Sequence, residues 1–428
     1  MGSGATQSSG RSINAGSRVI LAGVLTPAMN ESAFESSFAE LDRLADTAGG
    51  EVVGKLVQRL DSRVAATVIG SGKLDELREM CRALEADTVI FDCELSPSQI
   101  RNIDEALENV VVIDRTMLIL DIFALHARSG EGKLQVELAQ LRYSAPRLCG
   151  KGVEMSRLGG GIGTRGPGES KLESDRRHIK RRIDALEAEL DDLERTRKVM
   201  RAARERSAKK CVALVGYTNA GKSSLLNRLT DAGVLAEDKL FATLDPTTRR
   251  YTLPNGEDVL LTDTVGFISN LPHQLVKAFR STLDEAALAD MLMIVCDASD
   301  PECADKLKVT EETLVSLGAT DKPVLFVYNK CDAAGENFRP SDDGEHRVFV
   351  SAKTGEGIDE MVECLQILAS LGKSREVFYF PSSALSYLSK LYTDAIVHDV
   401  TYDEGGARAE ATVDGRMRGM LADFLVKN

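Results

Sequence analysis

Short β-branched runs alternate with stretches of helical periodicity between Arg18 and Asp114. The runs are Val19-Ile-Leu-Ala, Ala66-Thr-Val-Ile, Thr88-Val-Ile-Phe and Val110-Val-Val-Ile, with segments such as Leu74 to Leu84 between them. Continuous apolar runs joined by helix-length connections predict a small α/β unit with a largely parallel sheet. Gly70-Ser-Gly-Lys inside it lacks the first glycine and the spacing of a phosphate loop, so it is read as a tight strand-to-helix turn. From Thr116 to about Leu148, and again from about Ser174 to Lys209, the pattern turns helical. In the second stretch Ile179, Ile183, Leu186, Leu190, Leu193 and Met200 recur at steps that place them on one face. A stripe of that kind needs a partner helix. The preceding helix, folded back across a connection rich in glycine from Gly150 to Gly168, predicts an antiparallel helical hairpin.

Strand and helix alternate again from Cys211 to about Leu371. The apolar strands are Val212-Ala-Leu-Val, Val259-Leu-Leu-Thr, Met291-Leu-Met-Ile-Val and Val324-Leu-Phe-Val, a second and larger parallel-sheet α/β domain. Val377-Phe-Tyr-Phe, a helix near Ala384 to Ala395, a hairpin through Glu404-Gly-Gly and a closing helix predict a small C-terminal α+β appendage. The divisions expected are a Ser/Gly-rich disordered tail at 1–17, the α/β unit at 18–114, the hairpin at 115–209, the larger domain at 210–372 and the appendage at 373–428.

Composition narrows the class. At 428 residues with 43% hydrophobic and 28% charged positions, wholesale disorder, collagen and disulfide scaffolds are excluded. A formal net charge of −13 argues against a chain that coats nucleic acid with its whole surface. The charge is uneven, however: Arg142 to Lys210 carries 19 Lys/Arg against 11 Asp/Glu. A solvated helix face accounts for Asp184 to Glu194. It does not account for Arg176, Arg177, Lys180, Arg181 and Arg182 beside a glycine-rich loop holding Arg157, Arg165 and Lys171, which point to phosphate-backbone binding. Eight cysteines without a CxxC pair, several inside apolar runs, read as reduced core residues of a cytoplasmic protein. No apolar run approaches a membrane span, and Met1 to Gly16 lacks a secretory core.

The chemistry lies at strand ends. Gly216-Tyr217-Thr218-Asn219-Ala220-Gly221-Lys222-Ser223 follows one strand and opens a helix, the setting of a phosphate-binding loop. Its backbone N–H groups close on phosphates, Lys222 neutralises their charge, and the Ser223 hydroxyl is placed to ligate Mg2+. Asp263-Thr264-Val265-Gly266 ends the next apolar strand, where Asp263 can hold the metal through water and the Gly266 N–H can sense a γ-phosphate. Asn329-Lys330-Cys331-Asp332 ends a later strand. A carboxylate there accepts from both N1–H and the 2-amino group of guanine, a pair that adenine lacks. Ser351-Ala352-Lys353 supplies a backbone N–H toward the guanine carbonyl and a stem to lie on the base. Four such motifs in this order predict a P-loop domain that binds GTP and GDP. Between the first two, Phe241-Ala242-Thr243-Leu244-Asp245-Pro-Thr247-Thr248 is the expected switch segment; position alone leaves Thr243, Thr247 and Thr248 open as the residue that caps Mg2+.

At this point the sequence resembles the HflX family of translation-factor-related, ribosome-associated GTPases. The likeness rests on the nucleotide motifs together with Gly159-Gly-Gly-Ile-Gly-Thr-Arg-Gly-Pro-Gly-Glu169, Leu172-Glu-Ser-Asp-Arg-Arg177, Gln135-Val-Glu-Leu-Ala139, Asp114-Arg-Thr116 and Phe241-Ala-Thr-Leu-Asp-Pro-Thr-Thr-Arg249. It runs from about Arg18 to Leu371 and is weaker over the C-terminal piece. The resemblance implies that Thr243 is the switch threonine on Mg2+, that Lys222, Thr243 and Gly266 serve GTP hydrolysis, and that Asn219 accompanies a potassium ion beside the phosphates. It also implies that a monomer meets the large ribosomal subunit and its RNA through the basic hairpin, and that the family's task is splitting or rescuing stalled ribosomes under stress. Phe267 stands where Ras-like switches carry the water-orienting glutamine, so this side chain is expected to pack and the water to be placed by other groups. The competing reading is a signalling switch that binds a protein effector through its switch segments without RNA.

Overall fold

A computed structural model of the chain describes residues 13, 16–147, 167–204, 209–230, 240–241, 243–269, 280–335 and 346–426. Most of the expected tail and the whole glycine-rich tip at 148–166 lie outside these residues. The chain forms two compact units. One comprises Met1–Leu193, Glu237–Asp245 and Ser269–Arg280, and the other Glu194–Ala236, Pro246–Ile268 and Ser281–Asn428.

The first unit is built on a four-stranded parallel sheet. Its strands β1 (Arg18–Leu25), β2 (Glu51–Arg59), β3 (Thr88–Phe91) and β4 (Val111–Asp114) lie in the order β2-β1-β3-β4. Helices α1 (Glu31–Thr47), α2 (Ser71–Ala83) and α3 (Pro97–Leu107) connect them, as a parallel sheet demands. Ile20, Ala22, Leu56, Val89 and Phe91 of the strands bury against Leu77, Ile100 and Ile103 of the helices. Ser96 and Gln99 form a capping box that starts α3, with Pro97 in its first turn.

One expected strand is corrected. Ala66 to Ile69 is a tight turn in which Val64 and Val68 pair and Val68 takes a left-handed φ of 68°, while the sheet's edge is β2, upstream. Three apolar residues and a threonine make no sheet strand here, because the chain closes on itself through Val64 and Val68. Gly70 opens α2 as expected, standing at its N-cap with its N–H donated to Gln58 Oε1 at 2.8 Å, but the segment before it is this turn and not a strand.

Helices α4 (Arg115–His126), α5 (Gly130–Ser144) and α6 (Pro167–Arg204) follow. Arg142–Glu187 (2.5 Å) and Arg182–Glu137 (2.7 Å) join α5 to α6. The Met200 side chain of the predicted apolar stripe lies outside the described residues, and among the described members only Leu186 is fully buried. Ile179, Ile183 and Leu190 are half-buried and Leu193 is exposed, because α6 has 38 residues and α5 only 15 with which to cover it.

The second unit carries a six-stranded sheet in the order β10-β9-β8-β5-β7-β6. Its strands are β5 (Lys210–Gly216), β6 (Thr247–Thr252), β7 (Asp258–Asp263), β8 (Met291–Asp297), β9 (Val324–Asn329) and β10 (Arg347–Phe349), all parallel except the edge strand β6. Helices α7 (Lys222–Thr230), α8 (Arg280–Leu288), α9 (Cys303–Ser316) and α10 (Ile358–Ala369) are its connections and flanks. Val212, Leu214, Leu261, Met293, Val327 and Leu365 belong to its core. Parallel strands buried on both faces explain the unbroken apolar runs of the sequence. Beyond them, β11 (Lys373–Pro381), β13 (Gly406–Asp414) and β12 (Ile396–Tyr402) form an antiparallel sheet, and α11 (Ser386–Asp394) and α12 (Gly415–Met420) complete the predicted α+β piece around Phe378, Phe380 and Leu391. Among the described residues no helix is long and apolar enough to cross a membrane.

Candidate active site

Every motif of the nucleotide site sits where a parallel strand of the second unit ends. The loop after β5 turns sharply into α7 because Asn219 and Gly221 take left-handed backbone conformations (φ 62° and 93°), which asparagine and glycine tolerate best. Tyr217 and Thr218 are buried, and the Thr218 hydroxyl, buried within the loop, has no hydrogen-bond partner among the described residues. Lys222 opens the helix and folds back over the loop, its ammonium donating to the carbonyls of Gly216 (3.1 Å) and Tyr217 (2.8 Å). Burial pulls its pKa down to about 8, against the opposing pull of Asp263. An ammonium that burial disfavours, in a loop of strained turns, is a ready counter-charge for phosphate.

Ser223 and Asp263 come together although forty residues apart: the serine hydroxyl donates to Asp263 Oδ2 at 2.6 Å. Asp263 is fully buried at the end of β7. A hydroxyl and a carboxylate facing each other beside a phosphate loop are hard oxygen donors, and they fit Mg2+, which takes few protein ligands and keeps its waters and phosphates. Thr264 is turned inward, donating to the Leu214 carbonyl at 2.6 Å, and Val265 is buried. Gly266 lies so close to the phosphate loop that a Cβ there would stand 2.7 Å from Thr218 Cα, which is why the position must be glycine. Phe267 continues the contact through its backbone: its N–H donates to Gly216 O (3.0 Å) and its carbonyl accepts from Thr218 N–H (2.8 Å). Its ring is 2% exposed, so it packs and cannot reach a water molecule.

At the base-reading end, Asn329 proves to be a stitch. It is buried, donates Nδ2–H to the Ala220 carbonyl (2.9 Å) and accepts from the Ala352 N–H (3.0 Å), tying the phosphate loop, the end of β9 and the Ser351 loop together. Lys330 takes a left-handed turn (φ 62°) and pairs with Asp297 at 2.7 Å. Cys331 is half-buried and Asp332 exposed, its carboxylate open to a base. Ser351 is buried, and its hydroxyl accepts from the Thr354 N–H, shaping the turn that leaves Lys353 exposed. Asp297, at the end of β8, holds Lys330 in place, a partner that motif reading missed. The rule that ligands bind beyond the carboxyl ends of parallel strands would have found it.

The switch segment behaves differently. Ala242 is outside the described residues, and Phe241, Thr243, Leu244 and Asp245 pack with the first unit. Phe241, left-handed at φ 58°, sets its ring edge-on to Phe123 with centroids 4.7 Å apart. Leu244 is buried and Thr243 half-buried. The Asp245 carboxylate, expected among the nucleotide ligands, is instead seated on the start of α5.

A parallel sheet whose strand ends carry a phosphate loop, a paired serine and aspartate, and an exposed aspartate after a later strand is that of a P-loop GTPase: the protein binds GTP and GDP and hydrolyses GTP. Residues 35–124 match the family described as GTP-binding GTPase N-terminal, 126–204 its Middle Region, and 211–330 the family described as 50S ribosome-binding GTPase. The chain belongs to the GTPase HflX family. It is 47% identical to GTPase HflX of Lacrimispora saccharolytica over 95% of this chain and 96% of that one. It is 41% identical to GTPase HflX of Escherichia coli over 86% and 87%. A solved GTP-binding protein from the archaeon Sulfolobus solfataricus in complex with GDP is 27% identical, covering 82% of this chain and 98% of that one, with a TM-score of 0.44.

Proposed function

We propose that this GTPase binds the large ribosomal subunit in the cytoplasm as a monomer and that GTP hydrolysis sets the lifetime of the bound state, serving to split or rescue stalled ribosomes under stress. The observation that carries the reading is the match of the nucleotide domain to the family of 50S ribosome-binding GTPases, on a chain whose charge is otherwise acidic. The basic residues Arg176, Arg177, Lys180 and Arg181 on one exposed stretch of α6 support RNA as the surface met. Arg182 is committed to Glu137, so it contributes less.

Within the site, Lys222 and the backbone of the phosphate loop hold the phosphates, Ser223 and Thr243 ligate Mg2+ with Asp263 behind them, and the Gly266 N–H meets the γ-phosphate. Mg2+ held by these residues would supply positive charge toward the phosphates. Asp332 selects guanine, and Asn329 acts by holding the loops that surround the base. With Phe267 packed away, the attacking water is placed by backbone or by the ribosome, so turnover by the free protein is slow. The test is co-sedimentation with separated ribosomal subunits at several salt concentrations, with GDP or a non-hydrolysable GTP analogue. Binding to the large subunit that needs the analogue and weakens steeply with salt is expected. Absence of subunit binding in both nucleotide states would favour a protein-effector switch.

A further inference from the structure

The switch segment is held at two places within the first unit. On one side of Thr243, the Phe241 ring abuts Phe123 of α4, and the Leu240 N–H lies 3.4 Å from Thr47 Oγ1. On the other side, Asp245 is received by the N-terminus of α5: its carboxylate accepts from the N–H groups of Arg128 (2.9 Å) and Ser129 (2.7 Å) and from the Ser129 hydroxyl. The same hydroxyl accepts from the Gly132 N–H at 2.8 Å and caps the helix. Helix starts attract carboxylates through their free N–H groups and their dipole. The fit is close enough to dictate a residue 113 positions earlier in the chain, because a Cβ on Gly132 would stand 2.5 Å from Asp245 Oδ1. Glycine in a helix's first turn has no propensity to recommend it; here it leaves room for the switch carboxylate.

We propose that Asp245 is a positioning residue of the GTPase reaction: seated over Gly132 at the start of α5, it fixes Thr243 two residues away and makes the α4–α5 pair part of the machinery that distinguishes GTP from GDP. The inference rests on the reading of Thr243 as the residue that joins Mg2+ when GTP is bound. A second tie has the same character, since the guanidinium of Arg115, the first residue of α4, donates to the carbonyl of Ser269, two residues beyond Phe267. GDP needs only the phosphate loop and the base-reading loops. Loosening Asp245 therefore acts on GTP and on turnover, and leaves GDP alone.

The informative variant is Gly132→Ala, which gives α5 a better helix former while pushing the carboxylate off its seat. In the full chain it should keep or raise the melting temperature, hold GDP affinity within about twofold, and lower both kcat and the affinity for a non-hydrolysable GTP analogue by about tenfold, the usual scale for a misplaced catalytic contact. Asp245→Ala should do the same to GTP, and the double variant should be no worse than either single one, since both break one contact. Asp245→Asn, which keeps an acceptor for the α5 start, should recover part of the loss. Thr243→Ala is the reference. If it binds the GTP analogue and turns over like the unaltered protein, the role given to Thr243 fails. If it is impaired while Gly132→Ala and Asp245→Ala are not, the role of Thr243 stands and the positioning role of Asp245 is overturned. A parallel fall in GDP and GTP affinity would likewise overturn it, marking the contact as structural.

Discussion

Lys222 is the residue at which burial and function pull hardest against each other. Its folded pKa of about 8 lies below the ordinary lysine value of 10.5, so between those values the unfolded chain binds more protons and this group's contribution to stability rises with pH; below about 8 its penalty is fully present. Phosphates placed at the ammonium reverse the balance and restore the charge. GTP or GDP binding should therefore take up about one proton near pH 9 and almost none near pH 6.5. Calorimetric titration at each pH in two buffers of different ionisation enthalpy reads the uptake directly, and an absence of uptake at pH 9 would mean that Lys222 stays charged without nucleotide. The residues of the phosphate loop were legible in the sequence because a loop that wraps phosphate must be contiguous. The seat of Asp245 was not, since Arg128 and Ser129 lie over 110 residues away and only the folded chain shows that a helix start receives its carboxylate.

At the level of elements, the strands found from sequence are those buried on both faces, such as Val212 to Val215 and Met291 to Val295, whose runs are apolar throughout. The edge strands β2 and β6 escaped because they mix polar and apolar positions, and edges need no continuous apolar run. The α4–α5 pair hides a further cost that no pattern reveals. Asp121 of α4 is buried, and burial lifts its pKa to about 7, against the lowering effect of the Ile13 N–H and the Gln140 amide of α5. Because the folded pKa is raised above the unfolded value, the folded chain binds more protons between about pH 4 and 7, and this group's contribution falls as pH rises through that window. Asp121→Asn should change stability little below about pH 4, where the carboxyl is largely protonated in both states, and raise it by about 1 to 4 kcal/mol at pH 8, several degrees in melting temperature. Thermal unfolding of both proteins across pH checks this; an equal effect at both pH values would show that the gain, if any, is not ionic.

For the whole molecule, the division of labour is written in charge and glycine. The segment from Arg142 to Lys210 is basic while the chain as a whole is acidic, and its glycine-rich stretch separates α5 from α6. RNA binding by such a segment draws on released counterions, so its strength depends on salt in proportion to the phosphates neutralised. The proposed phosphate- and base-binding motifs, by contrast, stand at the ends of β5, β7 and β9 and in the loop after β10, all in the second unit. Replacing Gly159 to Gly166 with a short Gly/Ser turn removes Arg165 and the glycines while leaving every one of those strand ends in place. GDP affinity should then stay within about twofold, and association with the large subunit and any ribosome-stimulated hydrolysis should fall by about tenfold or more, with a shallower dependence on salt as phosphate contacts are lost. Nucleotide titration and sedimentation at several ionic strengths separate the two effects. An unchanged affinity and salt slope for the subunit would make the loop a spacer and shift the ribosome contact to the exposed arginines and lysine of α6, whereas a loss of GDP binding would show that the loop is needed for the nucleotide site itself.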